Sequence, residues 1–444
     1  MGKKRKPLPT EPVLGDIESL SHDGRGVAHV DGKAVFVHGA LPGERVRFRY
    51  TRRARRHDEG VVAEVLTPSA ERVDPRCAHF GVCGGCALQH MAPAAQVHMK
   101  ARVLEETLAR IGKVKPGRWL PPLTDAPWGY RRKARLGVRW VAKKGRVLVG
   151  FRERGSSFVA DLVHCDVLRP EVGERLPALA ALVESLSIRE RVPQIEVAQG
   201  DGPTVLVFRV LDPPSPADVE KLLAFAADTG LHVYLQTGGI ETIAPLPGQA
   251  VQLSYRLPAY AVELLFEPAD FTQVNLALNR RMVDQAVTLL DPQPDDRVLD
   301  LFCGLGNFTL PLARRAGRVL GVEGTAELVS RARRNAEHNG IDNADFQCAD
   351  LYAEPAAATA PWQSGRFDLA LLDPPRSGAW EVLDALAATG VHRLLYVSCY
   401  PGTLARDAAH LVHGLGFSLT AAGAMDMFPQ TAHLEAMALF ERSA

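Results

Sequence analysis

The stretch LLYVSCYPGTLARD, residues Leu394–Asp407, places a cysteine where a strand turns into a helix. An apolar, β-branched run ends at Cys399, and Pro401 and Gly402 stop the strand before a helical stretch begins. Reactive groups in α/β domains often lie at such strand-to-helix turns. Cys399 is therefore a candidate nucleophile. The alternative is a structural cysteine, because free cysteines are among the most buried residues.

From Asp296 onward the chain has a regular βαβ pattern. One strand leads into a glycine turn and a helix, and later strands end at Glu323, near Asp350, at Asp373 and at Cys399. A final strand pair closes the chain. This alternation predicts a parallel, doubly wound, Rossmann-like sheet, with functional residues at the carboxyl ends of its strands.

The first turn of this pattern reads DLFCGLGNF, Asp300–Phe308. It is neither a P-loop nor a complete G-x-G-x-x-G fingerprint. Glu323 follows about 20 positions later at the end of the next strand, where a carboxylate usually binds a ribose hydroxyl. The layout is that of an S-adenosylmethionine methyltransferase. A nicotinamide-linked oxidoreductase is the alternative for this half of the chain.

The fourth strand ends in LLDPPRSG. In many methyltransferases a D/N-P-P-Y/F tetrad at this place binds a flipped base or an amine, but here Arg376 replaces the aromatic residue. Asp373 and Cys399 should face the same crevice. A thiolate there suits uracil methylation, because its addition to carbon 6 makes carbon 5 nucleophilic. The target base must then leave its stack.

The reaction also needs a base that removes the proton from carbon 5. Glu435 lies just before the final strand in DMFPQTAHLEAM and is our candidate general base. A surface carboxylate without a catalytic role is the alternative.

A second cysteine group reads CAHFGVCGGC and contains Cys77, Cys83 and Cys86, with Cys165 far downstream. Four thiolates can hold zinc or a [4Fe–4S] cluster. Zinc sites usually consist of two C-x2-C pairs, so three local ligands and one remote ligand favour the iron–sulfur cluster over zinc or unliganded thiols. We interpret Cys303 and Cys348 as packed thiols.

Charge is distributed very unevenly along the chain. Residues 1–154 contain 31 Lys and Arg against 15 Asp and Glu, whereas the remainder contains 21 against 36. Seven of the twelve residues in Arg45–Arg56 are arginine, and Trp128–Trp140 mixes cationic and aromatic residues. These features indicate RNA binding, since arginine contacts phosphate and bases stack on rings. A solvated basic face is the alternative.

The predicted fold is multidomain. It has a flexible basic tail (1–12), an OB-like β-barrel (13–68), a central α+β domain with the cysteines (69–268) and a catalytic α/β domain (269–444). We expect a helix over 94–113 capped by Gly112, and another that opens with Phe271–Asn275 and ends near Leu290. The longest apolar runs fall short of the roughly 18–20 residues that span a bilayer. The start has no secretory h-region, and an odd number of cysteines favours reduced thiols and a cytoplasmic location. No obligatory protein partner is evident.

Six motifs in this order resemble the uracil-C5 RNA methyltransferases: CAHFGVCGGC, FTQVN, DLFCGLGNFTLPLA, LLDPPR, YVSCYPGTLARD and DMFPQTAHLE. The leading barrel resembles a TRAM domain, an RNA-binding module. Together with the cysteine quartet it resembles the branch that methylates 23S ribosomal RNA.

The resemblance implies a role for each candidate residue. Cys399 would be the nucleophile and Glu435 the proton acceptor, and 23S rRNA the partner. The S-adenosylmethionine site would be lined by Gln273, Phe302, Asn307, Glu323, Asp350 and Asp373. The [4Fe–4S] cluster would be held by Cys77, Cys83, Cys86 and Cys165.

Two alternatives and one departure accompany this resemblance. A tRNA uracil-C5 enzyme is the alternative within the family, although such relatives generally lack the barrel and the quartet. A non-catalytic RNA-binding iron–sulfur protein is the alternative from another class. Family members often have asparagine directly after the nucleophile, where this chain has Tyr400.

Overall fold

A computed structural model describes residues 8–353 and 360–442. The chain forms two compact units. The first contains residues up to 100 together with 151–160 and 428–433, and the second contains the rest. Residues 1–7 of the predicted basic tail lie outside the described residues, and the predicted four-part division of the chain stays a prediction. No helix in the described part is both long and apolar enough to cross a membrane.

The first unit is built on a six-stranded sheet in the order β1-β5-β6-β4-β3-β2. Alternation explains it: in β5, Val46, Phe48 and Tyr50 are buried, whereas Arg45 and Arg47 are exposed. The strands are β1 (Val13–Asp16), β2 (Ser19–Leu20), β3 (Gly26–Val30), β4 (Lys33–His38), β5 (Arg45–Arg53) and β6 (Asp58–Thr67).

Helix α1 covers Pro93–Thr107 and continues as one π-helical turn, Leu108–Gly112. The prediction that Gly112 caps it is wrong. Lys113 takes the left-handed conformation, with φ of 54°, and its backbone N–H donates to the Leu108 carbonyl. Gly112 serves close packing instead, because a Cβ there would lie 2.8 Å from the carbonyl oxygen of Ala405.

The middle of the chain forms a second six-stranded sheet, in the order β13-β12-β11-β10-β8-β9, and a separate hairpin, β14-β15. The strands of these two sheets are β8 (Lys133–Val141), β9 (Arg146–Gly150), β10 (Gln194–Gln199), β11 (Thr204–Arg209), β12 (His232–Gln236), β13 (Ala244–Pro245), β14 (Leu253–Leu257) and β15 (Val262–Phe266). Strand β7 (Arg118–Trp119) precedes them in the chain and belongs to the last sheet. The helices are α2 (Pro170–Gly173), α3 (Leu176–Ser185) and α4 (Pro216–Thr229).

The aromatic residues interleaved with cations near β8 only partly face solvent. Arg135 and Arg139 are exposed on β8, which gives the strand a basic outer face. Tyr130 is only 6% exposed, and the guanidinium of Arg189 covers the Trp140 ring at 4.8 Å. The prediction that the aromatic residues of this segment stack on RNA bases is therefore wrong for Tyr130, because its ring is part of the core.

The last sheet has eight strands in the order β18-β17-β16-β19-β20-β22-β21-β7. Its remaining strands are β16 (Arg297–Leu301), β17 (Arg318–Glu323), β18 (Ala344–Cys348), β19 (Leu369–Leu372), β20 (Arg393–Ser398), β21 (Ser418–Met425) and β22 (Glu435–Glu441). The helices are α5 (Leu276–Leu290), α6 (Thr309–Ala313), α7 (Ala326–His338), α8 (Leu383–Ala388) and α9 (Pro401–His413).

The sheet is mixed rather than wholly parallel as predicted. Strands β16 to β20 are parallel, but β22 runs antiparallel to both β20 and β21. The connection from β21 to β22 contains no crossover helix, so the two strands can pair only in opposite directions.

Helix α5 begins later than predicted. Its first residue is Leu276, and the Asn275 side chain caps it by accepting a hydrogen bond from the Leu278 N–H at 3.2 Å. Asparagine favours this position because its side chain satisfies a free N–H of the first turn. Residues 271–274 consequently precede the helix, and Phe271 is exposed.

Asp218 gives the middle sheet a test of pH-dependent stability. Burial alone would raise its pKa, but hydrogen bonds from the hydroxyl and N–H groups of Ser187 and Ser215 outweigh burial and lower the pKa to about 2. Its contribution is thus complete above about pH 4 and is lost as pH falls towards 2. Asp218→Asn should lower the melting temperature at pH 7, and its curve should converge with the wild-type curve near pH 2.

Asp212→Asn, in the exposed pair with Arg191, serves as the control and should melt like wild type. Equal melting temperatures of Asp218→Asn and wild type at pH 7 would contradict the prediction.

Candidate active site

The strand register brings the carboxyl ends of β16, β17 and β19 to one level. Leu301 pairs with both Val322 and Leu372, so the next residues along the three strands are Phe302, Glu323 and Asp373. The sheet order changes direction between β16 and β19, because β17 and β18 lie to one side of β16 and later strands lie to the other. Ligands bind at such a switch point in open α/β sheets.

A cavity of about 470 Å³ opens at this edge. All eight predicted catalytic and cofactor residues line it: Gln273, Phe302, Asn307, Glu323, Asp350, Asp373, Cys399 and Glu435. The sequence reasoning missed Tyr255 and Tyr352, which also line it. Both lie outside the motifs, and only the fold brings them there.

The turn after β16 is conformationally strained. Phe302 has φ of 65°, and Gly304 and Gly306 have φ of 55° and 92°. A left-handed phenylalanine costs about 1–3 kcal/mol and persists only where its surroundings enforce it. The carbonyl of Val322 accepts hydrogen bonds from the N–H groups of Phe302 and Cys303 at 2.9 and 3.1 Å. The neighbouring strand thus holds the Phe302 ring at the cavity, 5.8 Å from the Tyr352 ring.

Glu323 joins the two turns that border the cavity. One carboxylate oxygen accepts from the Gly304 N–H at 3.1 Å, and the other accepts from the Gly324 N–H at 2.7 Å. Each oxygen keeps acceptor capacity. The carboxylate is therefore oriented in advance and can still receive two hydroxyl groups of a ligand.

Asn307 belongs to a hydrogen-bonded network in the wall of the cavity. Its Oδ1 accepts from the Tyr255 hydroxyl and from Asn279 Nδ2, both at 2.9 Å. Its Nδ2 donates to Asn279 Oδ1 at 3.0 Å. This reciprocal pair fixes α5 against the glycine turn, so Asn307 positions the wall of the cavity. A direct contact between Asn307 and a ligand stays a prediction.

The cavity is acidic. Of the described residues that line it, four are carboxylates: Glu323, Asp350, Asp373 and Glu435. Burial raises the pKa of Asp373 to about 7. Asp350 is anchored because its Oδ1 accepts from the Tyr352 N–H at 2.9 Å. Such a cavity favours a cationic ligand, whose charge offsets the buried carboxylates.

Cys399 and Glu435 lie on neighbouring antiparallel strands. Ser398 of β20 pairs with Ala436 of β22, so positions 399 and 435 form the next facing pair. Glu435 is only 5% exposed, which excludes a surface carboxylate. Burial raises the pKa of Cys399, the charges of Glu435 and Asp373 raise it further, and Arg376 lowers it. The surroundings of Cys399 therefore favour the thiol over the thiolate.

Helix α9 holds the DPPR loop beside Cys399. Asp407 is fully buried and accepts from the Ala379 N–H at 2.8 Å and the Tyr396 hydroxyl at 2.7 Å. Arg406 donates to Asp407 at 2.7 Å and to the Ser377 carbonyl at 2.9 Å. The LARD segment after Cys399 therefore stabilises the conformation of the loop that carries Asp373.

Three of the four cluster cysteines share one loop of the first unit. Cys83 donates its N–H to the His79 carbonyl at 3.0 Å, and Cys77 donates its N–H to Gln89 Oε1 at 3.0 Å. Cys165 lies in the second unit, where its N–H donates to the Gly173 carbonyl at 2.9 Å.

The two remaining cysteines differ from each other. Cys303 is 5% exposed, and burial raises the pKa of its thiol. It is a packed thiol, although it also borders the cavity. Cys348 is exposed at the end of β18. Its interpretation as a packed thiol is wrong, because edge strand β18 leaves its side chain in solvent.

Comparison with known proteins identifies the family. The model of the tRNA (Uracil-5-)-methyltransferase family matches residues 256–443, and the TRAM domain model matches residues 15–54. The chain is 58% identical to the 23S rRNA (uracil(1939)-C(5))-methyltransferase RlmD of Alkalilimnicola ehrlichii, over 100% of both chains. It is 55% identical to the protein of the same name from Methylococcus capsulatus, over 99% of both. The chain belongs to the RlmD family.

A solved structure shares the fold of nearly the whole RlmD-type chain. It is the Pyrococcus abyssi tRNA (uracil-54, C5)-methyltransferase in complex with S-adenosyl-L-homocysteine. The TM-score is 0.72 at 24% identity, over 96% of this chain and 99% of that chain. The TRAM domain and the methyltransferase fold are thus confirmed, and the nicotinamide alternative is wrong. Neither family model covers the cysteine loop.

Asp407 offers a test of how this RlmD-family site is held together. Asp407→Ala removes a buried acceptor and leaves the Tyr396 hydroxyl and the Ala379 N–H unpaired. The expected loss is about 3 kcal/mol of unfolding free energy, together with weaker S-adenosylmethionine binding as the DPPR loop loosens. Thermal melting and calorimetric titration measure the two effects.

Asp384→Ala is the matched control, since this carboxylate of α8 is 73% exposed and pairs with His410 of α9. It should change stability by less than about 0.5 kcal/mol. Wild-type melting and binding of Asp407→Ala would refute the structural task given to this residue.

Proposed function

We propose that the protein transfers a methyl group from S-adenosylmethionine to carbon 5 of a uridine in 23S ribosomal RNA. The observation that carries the proposal is that Cys399 and Glu435 both line an acidic cavity, at the ends of two paired strands. The relatives are named for this reaction on uracil 1939, and we infer the corresponding uridine as the target.

The cavity residues fit S-adenosylmethionine. The cofactor supplies an electrophilic methyl group on a sulfonium cation, which matches the carboxylates that line the cavity. Glu323 would receive the ribose hydroxyls, because its two oxygens are already oriented by the adjoining turns. The Phe302 ring, Gln273, Asn307, Asp350 and Asp373 would form the remaining walls.

The reaction begins at the Cys399 sulfur. The Cys399 thiol first loses its proton to solvent. The thiolate then adds to carbon 6 of uracil, and the electron pair of the 5,6 double bond moves into an enolate. Bound S-adenosylmethionine would supply the methyl group to carbon 5 and leave as S-adenosylhomocysteine. Glu435 removes the proton from carbon 5, the bond between sulfur and carbon 6 breaks, and the thiolate returns. Arg376 supports the thiolate, since its charge lowers the pKa of Cys399.

RNA binding is assigned to the basic part of the chain. The TRAM match covers residues 15–54, which include exposed arginines on β5. Arginine on an exposed strand contacts phosphates without reading the sequence. The uridine itself must leave its stack before carbon 6 can approach Cys399.

Two variants test the roles of the facing pair. Cys399→Ala should reduce methyl transfer from labelled S-adenosylmethionine by more than about 10³-fold, because carbon 5 is then never activated, while cofactor binding is retained. Glu435→Gln should accumulate a covalent protein–RNA complex, since the proton on carbon 5 stays in place. Gel electrophoresis under denaturing conditions detects this complex.

Cys348→Ser, at an exposed thiol, is the control and should turn over normally. The double variant Cys399→Ala/Glu435→Gln should form no covalent complex. Full turnover by Cys399→Ala would refute the mechanism. RNA containing 5-fluorouridine adds a check on a non-catalytic binding protein, which would form no adduct.

The same assay separates ribosomal from transfer RNA. A 23S rRNA fragment and a tRNA compete for methylation in one reaction, and the product nucleotides are mapped. We expect methyl incorporation in the 23S fragment, in agreement with relatives that match the full length of the chain. Preferential methylation of tRNA would overturn the choice of substrate.

We infer further that Cys77, Cys83, Cys86 and Cys165 bind a [4Fe–4S] cluster. Burial raises the pKa of Cys83 and the neighbouring Cys77 raises it further, while the Gly85 N–H, 3.4 Å from the sulfur, opposes this. Two neighbouring thiolates are therefore disfavoured on their own, and a bound cation would offset their charge. The loop also fits closely, because a Cβ at Gly84 would lie 3.0 Å from the Arg152 carbonyl oxygen.

The iron content tests this ligand set. Protein purified without oxygen should be brown and contain about four irons per chain. Cys86→Ser should lose most of this iron because one ligand is removed, and Cys348→Ser should keep it. Stoichiometric zinc without iron in the wild-type protein would refute the cluster.

A further inference from the structure

Tyr400 follows Cys399 directly, and the fold makes little use of its side chain. Its relative exposure is 43%. The start of α9 needs only its backbone: the Ser398 hydroxyl accepts from the Tyr400 N–H at 3.2 Å and lies 3.1 Å from the Tyr400 carbonyl. No side-chain capping bond is formed. Within the described residues, the Tyr400 hydroxyl has no hydrogen-bond partner.

Gly402 shows that the ring nevertheless has a defined place. A Cβ on Gly402 would lie 2.9 Å from Cε1 of Tyr400, so the ring rests on the first turn of α9. Gly402 does not have a positive φ, and glycine costs about 1 kcal/mol relative to alanine within a helix. The backbone conformation therefore does not require glycine here, and a larger residue would displace the Tyr400 ring.

Tyr400 directly follows Cys399, which lines the cavity. The Thr403 hydroxyl is 3.1 Å from the Tyr400 carbonyl and 3.2 Å from the Arg376 carbonyl. The exposed Arg376 lines the cavity, as does Cys399. Thr403 thus joins the backbones of two residues that carry an exposed ring and an exposed guanidinium group. Such a pair suits single-stranded RNA, whose bases stack on rings while its phosphates meet the charge.

We propose that Tyr400 stacks on the base of a nucleotide adjacent to the target uridine. A uridine that leaves its stack exposes a face of its neighbour. The Tyr400 ring covers that face and so stabilises the RNA with the target base extruded. The inference rests on the proposed function, because it takes the uridine to enter beside Cys399.

The first experiment measures binding of a 23S rRNA fragment by fluorescence anisotropy and then steady-state kinetics. Tyr400→Leu keeps apolar bulk without an aromatic face, and should raise the Kd and the KM for RNA about 5- to 100-fold, the range expected for one stacked base. The kcat at saturating RNA and the Kd for S-adenosylmethionine should not change. Tyr400→Phe keeps the ring and should bind within about twofold of wild type.

The second experiment identifies the stacked nucleotide. Fragments carrying an abasic site next to the target should bind wild-type protein more weakly at one of the two flanking positions. At that position Tyr400→Leu should lose nothing further, because the base that the ring would cover is already absent. Gly402→Ala should displace the ring, and should weaken RNA binding in the wild-type background but not in the Tyr400→Leu background.

Two results would overturn the proposal. The first is that Tyr400→Leu binds RNA as tightly as wild type. The second is that, at both flanking positions, Tyr400→Leu weakens the binding of an abasic fragment as much as it weakens the binding of the intact fragment. These readouts need no turnover, so they remain valid if Cys399 forms no adduct, which would refute the proposed function alone. Conversely, adduct formation with unchanged RNA affinity of Tyr400→Leu would refute only the stacking.

Discussion

The antiparallel register between β20 and β22 is the constraint on which the chemistry depends. Ser398 pairs with Ala436, Cys399 directly follows β20, and Glu435 begins β22, so this register fixes where the proposed nucleophile and the proposed base lie. Side chains alternate along a strand, so a slip of one residue would turn Glu435 to the other side of the sheet. Six of the seven residues of β22 are buried, which fixes this register through packing on both faces. The packing that stabilises the sheet core therefore also fixes the positions of Cys399 and Glu435.

The same arrangement creates an electrostatic conflict. A thiolate at Cys399 is disfavoured by burial and by the charges of Glu435 and Asp373, while Arg376 and a backbone hydrogen bond act in the opposite direction. A cationic ligand in the cavity would relieve this conflict, since it lies among the same carboxylates. Under the proposed function, the acidic lining would attract the sulfonium cation of S-adenosylmethionine. The same carboxylates disfavour the reactive thiolate while no cation is bound.

Sequence patterns predicted much of this site because parallel strands place their carboxyl ends at one edge. Glu323, Asp373 and Cys399 each end a recognisable strand or follow it directly, so their convergence follows from topology. The antiparallel direction of β22 was missed, since alternation of strands and helices gives no sign of a returning hairpin. Patterns also misplaced features that depend on tertiary contacts. Gly112 was taken as a cap when its role is close packing against Ala405.

The network of Tyr255, Asn279 and Asn307 could not have been predicted, because its members lie on a hairpin, a helix and a turn that are far apart in sequence. Tyr400 differs, because its contacts are visible in the structure but do not explain its side chain. The neighbouring Ser398, Thr403 and Asp407 bind backbone groups or hold the DPPR loop, which ties their identity to the fold. Position 400 contributes only its backbone to the start of α9. The fold therefore places little constraint on the Tyr400 side chain, which is why we propose that its ring binds RNA.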